Sequence, residues 1–484
     1  MKRKKTQETG ICGRQRGSRK AVCCLALLLF LLAVSGLSAC QRYEPAALTE
    51  PAQEGEALPE TESLPMEVVA ESAAASAEEP APVQVKGIYL AASPVSNAEF
   101  MNQVIQHLDD SELNAVVIDV KDDYGRITYE MQNVPLVNEL GAVKVTAGDL
   151  PGVIARLKEH GVYCIARIVA LKDPYIADKK PEWALYRADG SIFRDNAGDA
   201  WVNPYKEEYW TYLLDVAREA GRIGFDEIQF DYIRFCTERG IGDVVYDEAD
   251  TKGRDKISII TELVNYLTEH LRQEGLFVSC DVFGTIIGSS VDAQSVGQDY
   301  NQMAAAVDYI CPMIYPSHYA SGNFGLEHPD REPYRTILGA LQLSKRELQS
   351  YESYHQAKVR PWLQSFTASY LGEGNYMEYD ADAVRQQIQG VYDAGYDEWI
   401  LWSASANYFY DGLLTEEEGA AERSRIEESR EAAQAAEAGS AAEEELPPEL
   451  ASELAGDDLS QSDAAILEQD GPIVSYDKGQ EQQP

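Results

Sequence analysis

The sequence is short of basic residues: 41 Lys plus Arg stand against 81 Asp plus Glu, a formal charge of -40 over 484 residues. So acidic a chain repels a phosphate backbone, and nucleic acid is excluded as a partner. Histidine is scarcer still. There are six, none paired as HxH or HExxH, which speaks against a metallohydrolase or a metal-dependent deacetylase. Neither His318 and His328 nor the acidic stretches Asp122-Asp123 and Asp243 to Asp250 have the ligand spacing of a zinc or calcium site. CxxC pairs and a GxSxG elbow are missing, and no Gly-rich phosphate loop follows the first apolar run, where Leu90-Ala-Ala-Ser-Pro94 stands instead. No metal and no cofactor is expected.

Apolar and aromatic residues are also lacking at the two ends. Residues 41–83 and 413–484 are rich in Glu, Ala, Ser and Pro and cannot bury enough apolar surface to fold, so they read as a disordered acidic linker and a disordered acidic tail. Residues 1–40 have a basic start, an apolar run from Ala21 to Val34 and the close Leu37-Ser-Ala-Cys40. This is the pattern of a lipoprotein signal with a lipobox, which would attach lipid to Cys40 and carry the rest of the chain out of the cytoplasm to a membrane-anchored, extracytoplasmic position. Of the eight cysteines, Cys12, Cys23 and Cys24 would leave with the signal. Cys164, Cys236, Cys280 and Cys311 lie in or at the end of apolar runs and read as small buried residues.

Between the ends, residues 84–412 alternate short β-branched runs with longer amphipathic segments. The runs are Val85–Ala91, Ala115–Lys121, Tyr163–Leu171, Glu227–Phe235, Phe277–Phe283, Tyr309–Tyr315, Val359–Phe366 and Trp399–Ser403. Helical periodicity marks Ala98–Leu108, Leu150–His160, Glu207–Arg222, Lys256–Glu274, Gln298–Val307, Arg335–Ala357 and Ala381–Ala394. Such alternation implies parallel strands joined by right-handed crossovers. Eight repeats predict an α/β fold of the (β/α)8 TIM barrel type, with an open doubly wound sheet as the alternative. The stretches 122–149, 172–205 and 236–256 predict long loops on the strand-to-helix side, which is the functional face of a barrel.

The fourth run is unusual because Glu227, Gln229 and Asp231 alternate with Ile228, Phe230 and Tyr232. In a strand covered by helices, the polar row must face the barrel interior. The same parity adds Asp119 and Lys121, Arg167, Ser279 and Asp281, and Gln364. Charged groups in a barrel need each other or a ligand. Carboxylates among cations are what acid-catalysed acetal cleavage requires, one ionised against an oxocarbenium-like centre and one protonated toward the leaving oxygen. Asp231 is cast as nucleophile or stabiliser and Asp281 as acid/base, with Asp119 the third candidate. Lys121, Arg167, Gln229, Arg234 and Gln364 are the expected polar substrate contacts, and Trp201, Tyr315 and Trp402 the ring faces suited to sugar C–H groups. Neighbouring strands lie about 4.8 Å apart, so retaining (about 5–5.5 Å) and inverting (about 6.5–9.5 Å) carboxylate separations are both within reach. A buried structural ion network is the bland reading of the same residues.

The phrases Val117-Ile-Asp-Val-Lys-Asp-Asp-Tyr-Gly125, Arg167-Ile-Val-Ala-Leu-Lys-Asp-Pro174, Phe225 to Phe235, Asp281-Val-Phe-Gly284, Met313 to Tyr319 and Leu401 to Asn407 together resemble a bacterial glycoside hydrolase family first catalogued as a domain of unknown function. The resemblance spans about residues 86–410. It implies secreted or lipid-anchored (β/α)8 barrels, distantly similar to α-amylase-type hydrolases, whose fourth strand supplies a nucleophilic Asp; that role falls on Asp231. The amylase type has Glu on the fifth strand where this chain has Asp281, and Cys236 stands where the family has Pro. The partners implied are a polysaccharide or oligosaccharide and, through Cys40, the membrane. A carbohydrate-binding barrel without turnover remains the alternative.

Overall fold

The computed structural model describes residues 82–428, apart from 416, 423 and 427. The signal segment, nearly all of the linker and the tail beyond 428 lie outside the described residues. Eight parallel strands close into a barrel: β1 Lys86–Leu90, β2 Ala115–Lys121, β3 Tyr163–Val169, β4 Glu227–Asp231, β5 Phe277–Phe283, β6 Tyr309–Met313, β7 Trp362–Gln364 and β8 Trp399–Trp402. Each pairs with the next in sequence, and β8 returns to β1. The TIM-barrel expectation holds, and the open sheet is excluded by the β8–β1 pairing.

Between consecutive strands lie α1 Ala98–Asp110, α2 Leu150–Glu159, α3 Glu207–Arg222, α4 Lys256–Arg272, α5 Tyr300–Ala306, α6 Pro333–Ser350 and α7 Ala381–Asp393. Their starts are written in the sequence. Asn97, Asp149, Asp255, Asp299 and Asp380 each accept backbone N–H bonds at an N-terminus, satisfying donors that the helix leaves open, and the four Asp also place negative charge at the positive dipole end. The apolar stripes pack on the outward faces of the strands, while Val117, Ile165, Tyr309, Cys311, Trp362 and Ile400 form a second core inside the barrel.

Two strands are shorter or more broken than the sequence predicts. The fourth ends at Asp231 and does not run on to Phe235, because Tyr232 sits at φ 50°, a left-handed conformation that breaks an extended run. The seventh is divided. Lys358–Val359 pairs with β6, Pro361 interrupts because it has no N–H to donate, and the strand resumes at Trp362. After β5, Gly284 turns so tightly that a Cβ there would lie 2.8 Å from the Met313 carbonyl oxygen. The long loops after β3 and β4 are joined by a small antiparallel ribbon, Tyr186–Arg187 with Val244–Val245.

Low in the barrel, Glu227 accepts both Arg360 Nη1 contacts at 2.8 and 2.9 Å, together with the hydroxyls of Ser279 and Tyr163. Arg360 also donates Nε to Glu398 at 2.8 Å and lies 3.8 Å over the Tyr309 ring. All three charged residues are buried. A structural ion network thus lies one layer below the mouth, on residues other than the candidate carboxylates. Arg360→Met would leave buried Glu227 without a cation and Glu398 with only Lys358 at 4.0 Å, and should lower unfolding free energy by about 3–5 kcal/mol in denaturant titrations.

Candidate active site

The mouth at the C-terminal ends of the strands is organised by Arg167 on β3. Its Nη1 donates to Asp119 Oδ1 on β2 at 2.7 Å, and its Nε and Nη2 donate to Asp231 Oδ2 on β4 at 3.0 and 2.6 Å. Nη2 also reaches Asp123 Oδ1, in the loop after β2, at 3.3 Å. Asp119 accepts a further bond from the Tyr89 hydroxyl of β1 at 2.6 Å, and Asp231 Oδ1 accepts the backbone N–H of Tyr232 at 2.6 Å. The left-handed turn at Tyr232 thus closes the strand and holds the carboxylate with its own amide.

Asp281 on β5 stands apart from this clamp. Its Oδ1 accepts the Trp362 indole N–H at 2.6 Å, while the Arg167 guanidinium is committed to the other three carboxylates. Burial pushes the Asp281 carboxyl well above the ordinary carboxylate range, and the neighbouring charge of Asp231 raises it further. Burial also raises Asp119, to about 6, against the attraction of Arg167. The aromatic collar consists of Tyr89, Trp362, Trp402, Tyr315 and Phe366: Tyr89 and Trp402 stack at 6.5 Å, and Tyr315 and Phe366 lie 5.8 and 5.3 Å from Trp402.

The sequence parity therefore brings Asp119, Arg167, Asp231 and Asp281 together at one mouth, with Tyr315 and Trp402 beside them. Several other expected contacts are engaged elsewhere. Lys121 turns outward because a bulge between Asp119 and Lys121 puts it level with Ile168, on the helix-facing side. There it is fully buried, ion-paired with Asp173 at 2.8 Å and bonded to the Val169 carbonyl. Lys121 and Asp173 lie in two of the recognisable phrases, and their pairing fastens the end of β2 to the loop after β3. Gln364 is saturated by Ser317, Asp330 and the Phe366 carbonyl. Gln229 lies below Asp231, fully buried, with its amide on Cys311 Sγ. Trp201 is 2 % exposed and packs edge-on to Tyr232, so it braces the cleft from behind and is no open wall. Arg234 is half-buried, its guanidinium over Phe283, Tyr232 and Trp201 at 4.4, 5.0 and 5.3 Å. Cys164, Cys236, Cys280 and Cys311 are free and buried, as expected.

Sequence reasoning passed over Tyr89 and Asp123. Tyr89 was within reach of it, being an inward position of β1; Asp123 reaches Arg167 only through the shape of its loop. Among the described residues no group of three or more His, Cys, Asp or Glu is arranged to hold a metal.

A closed parallel barrel with acidic groups converging at its C-terminal mouth is the arrangement of (β/α)8 barrel enzymes. Residues 87–408 match the family described as "Putative glycosyl hydrolase domain", and the chain belongs to that glycosyl hydrolase family. A comparison with curated proteins finds no match. Among solved structures, the chain is similar to a hypothetical protein from Ruminiclostridium thermocellum, at 37% identity over 40% of this chain and 97% of that one, with a TM-score of 0.37. It is also similar to the PgaB glycoside hydrolase domain from Bordetella bronchiseptica, at 12% identity over 69% of this chain and 99% of that one, TM-score 0.49. The glycoside hydrolase domain of PelA from Pseudomonas aeruginosa matches at 12% identity over 68% and 97%, TM-score 0.36.

The raised Asp119 carboxyl has a measurable consequence. Between about pH 4 and 6 the folded protein keeps this proton and the unfolded chain has released it, so the contribution to stability is full below about pH 4 and is lost as pH rises through 6. A shift of roughly two units corresponds to about 3 kcal/mol. In denaturant titrations from pH 4 to 7, the stability of wild type minus that of Asp119→Asn should fall by up to that amount.

Proposed function

We propose that the protein is a glycoside hydrolase that cleaves O-glycosidic bonds of a polysaccharide or oligosaccharide with Asp231 and Asp281 as its two carboxylates. The observation that carries this reading is the contrast between them at one mouth. Asp231 receives two charge-assisted bonds from Arg167, whereas Asp281 has only a neutral N–H and a carboxyl raised by burial. Asp281 is accordingly the proton donor to the leaving oxygen. Asp231 faces the anomeric carbon as nucleophile or electrostatic stabiliser, and Asp119 holds Arg167 in place. The collar of rings suits the apolar faces of a sugar. A non-catalytic carbohydrate-binding barrel is the second reading. The depth of all three carboxylates, each at most 8 % exposed, favours it, while the absence of an Arg167–Asp281 bridge favours the enzyme.

The test is release of reducing ends from a panel of envelope and storage polysaccharides. Asp231→Asn and Asp281→Asn should each lower kcat by about a thousandfold or more with folding intact. Activity should fall on the alkaline side as Asp281 loses its proton. Glycan binding without release by the wild type would move the assignment to the binding barrel.

The site of action follows from the lipobox reading: the protein is anchored outside the cytoplasmic membrane by lipid on Cys40. In a cell fractionation, Cys40→Ser should abolish lipid labelling of the protein and its extraction with the detergent-soluble membrane fraction.

A further inference from the structure

The contact between Trp362 and Asp281 is unusual for a barrel core. Asp281 lies level with Cys311 of β6, and Trp362 pairs with Met313 of that strand, so the indole comes from two strands away and one rung higher. Its ring meets Tyr89 edge-on at 6.5 Å. The indole is 2 % exposed, and its only polar atom is aimed at Oδ1 of Asp281 at 2.6 Å. An indole N–H can donate and cannot accept. It therefore occupies Oδ1 with a hydrogen bond and leaves Oδ2 as the oxygen on which the carboxylic proton is carried toward substrate.

We propose that Trp362 is a positioning residue for the acid: it keeps the transferable proton of Asp281 on Oδ2 and steadies the carboxylate that remains once that proton has left. This rests on the reading of Asp281 as proton donor. In the step itself, the proton passes from Oδ2 to the glycosidic oxygen. The bond from that oxygen to the anomeric carbon breaks, with its electron pair staying on oxygen. Asp281 is left with a full negative charge in a buried place, where the neutral contact with the indole becomes charge-assisted and strengthens as the reaction proceeds. The other groups facing Asp281 leave this task to Trp362. Asp231 and Glu227 of β4 oppose its negative charge; Arg167 of β3 favours it from a distance while paired elsewhere; Cys280 of β5, Cys311 of β6 and Tyr315 beyond β6 are held neutral by burial.

The experiment follows the carboxyl resonance of Asp281 through a pH titration of the 13C-aspartate-labelled protein, assigned by its loss in Asp281→Asn. Trp362→Phe keeps a ring and removes the donor. Should that variant fail to fold, benzothienylalanine at position 362, which replaces the N–H by sulfur with little change of shape, carries the same test. The expected result is an Asp281 midpoint at higher pH than in wild type. On any glycan the wild type hydrolyses, the alkaline limb should move up in pH, with kcat lowered about tenfold and KM little changed. A midpoint that stays put or falls in the donor-less protein overturns the proposal. That outcome is separate from failure of the hydrolase reading, which is full activity in Asp281→Asn.

Discussion

A guanidinium buried at the end of a barrel is costly unless carboxylates surround it, and the upper half of this structure is arranged around that requirement. Arg167 answers it with Asp119 from one neighbouring strand, Asp231 from the other, and Asp123 from the loop above. The planar fork of donors suits this, because several carboxylates can be met at once in defined directions. The clamp thus ties β2 to β4 across β3, and it fixes Asp231 by two bonds where one would leave it free to turn. Asp281 remains outside the clamp.

The barrel interior carries charge at two levels, and they differ in what they can do. The lower one, Glu227, Arg360 and Glu398, is bonded within itself and to the hydroxyls of Tyr163 and Ser279, below Gln229. It braces the strands and offers nothing to a ligand. The upper one opens toward the long loops and the aromatic collar. A single strand, β4, supplies both: Glu227 to the structural layer and Asp231 to the one at the mouth. That division follows from height in the barrel, since only the C-terminal ends of the strands meet the loops that can admit a substrate.

Much of the site could be read from the chain because a strand alternates its faces with a period of two. Polar residues at Gln229 and Asp231 against apolar ones at Ile228 and Phe230 are enough to call for a polar interior, and the same parity finds Asp119, Arg167 and Asp281. It fails where the backbone departs from that period. The bulge after Asp119 turns Lys121 to the outside. Gln364 fails for another reason: its inward parity is right, but Ser317 and Asp330 come from a different loop to saturate it.

By itself, then, the sequence determined the eightfold alternation, the parallel pairing of the strands, the helix starts at Asn and Asp caps, and three of the carboxylates that reach the mouth, Asp119, Asp231 and Asp281. These rest on local periodicity and on the energetic cost of leaving a charge alone in an apolar core, both written in adjacent residues. Only the tertiary structure decided which carboxylate Arg167 would hold, that Trp362 would reach across a strand to Asp281, and that the Lys121–Asp173 pair is structural. Those outcomes depend on bulges, a broken seventh strand and contacts between residues tens to hundreds of positions apart, and no short stretch of sequence contains the distances that settle them.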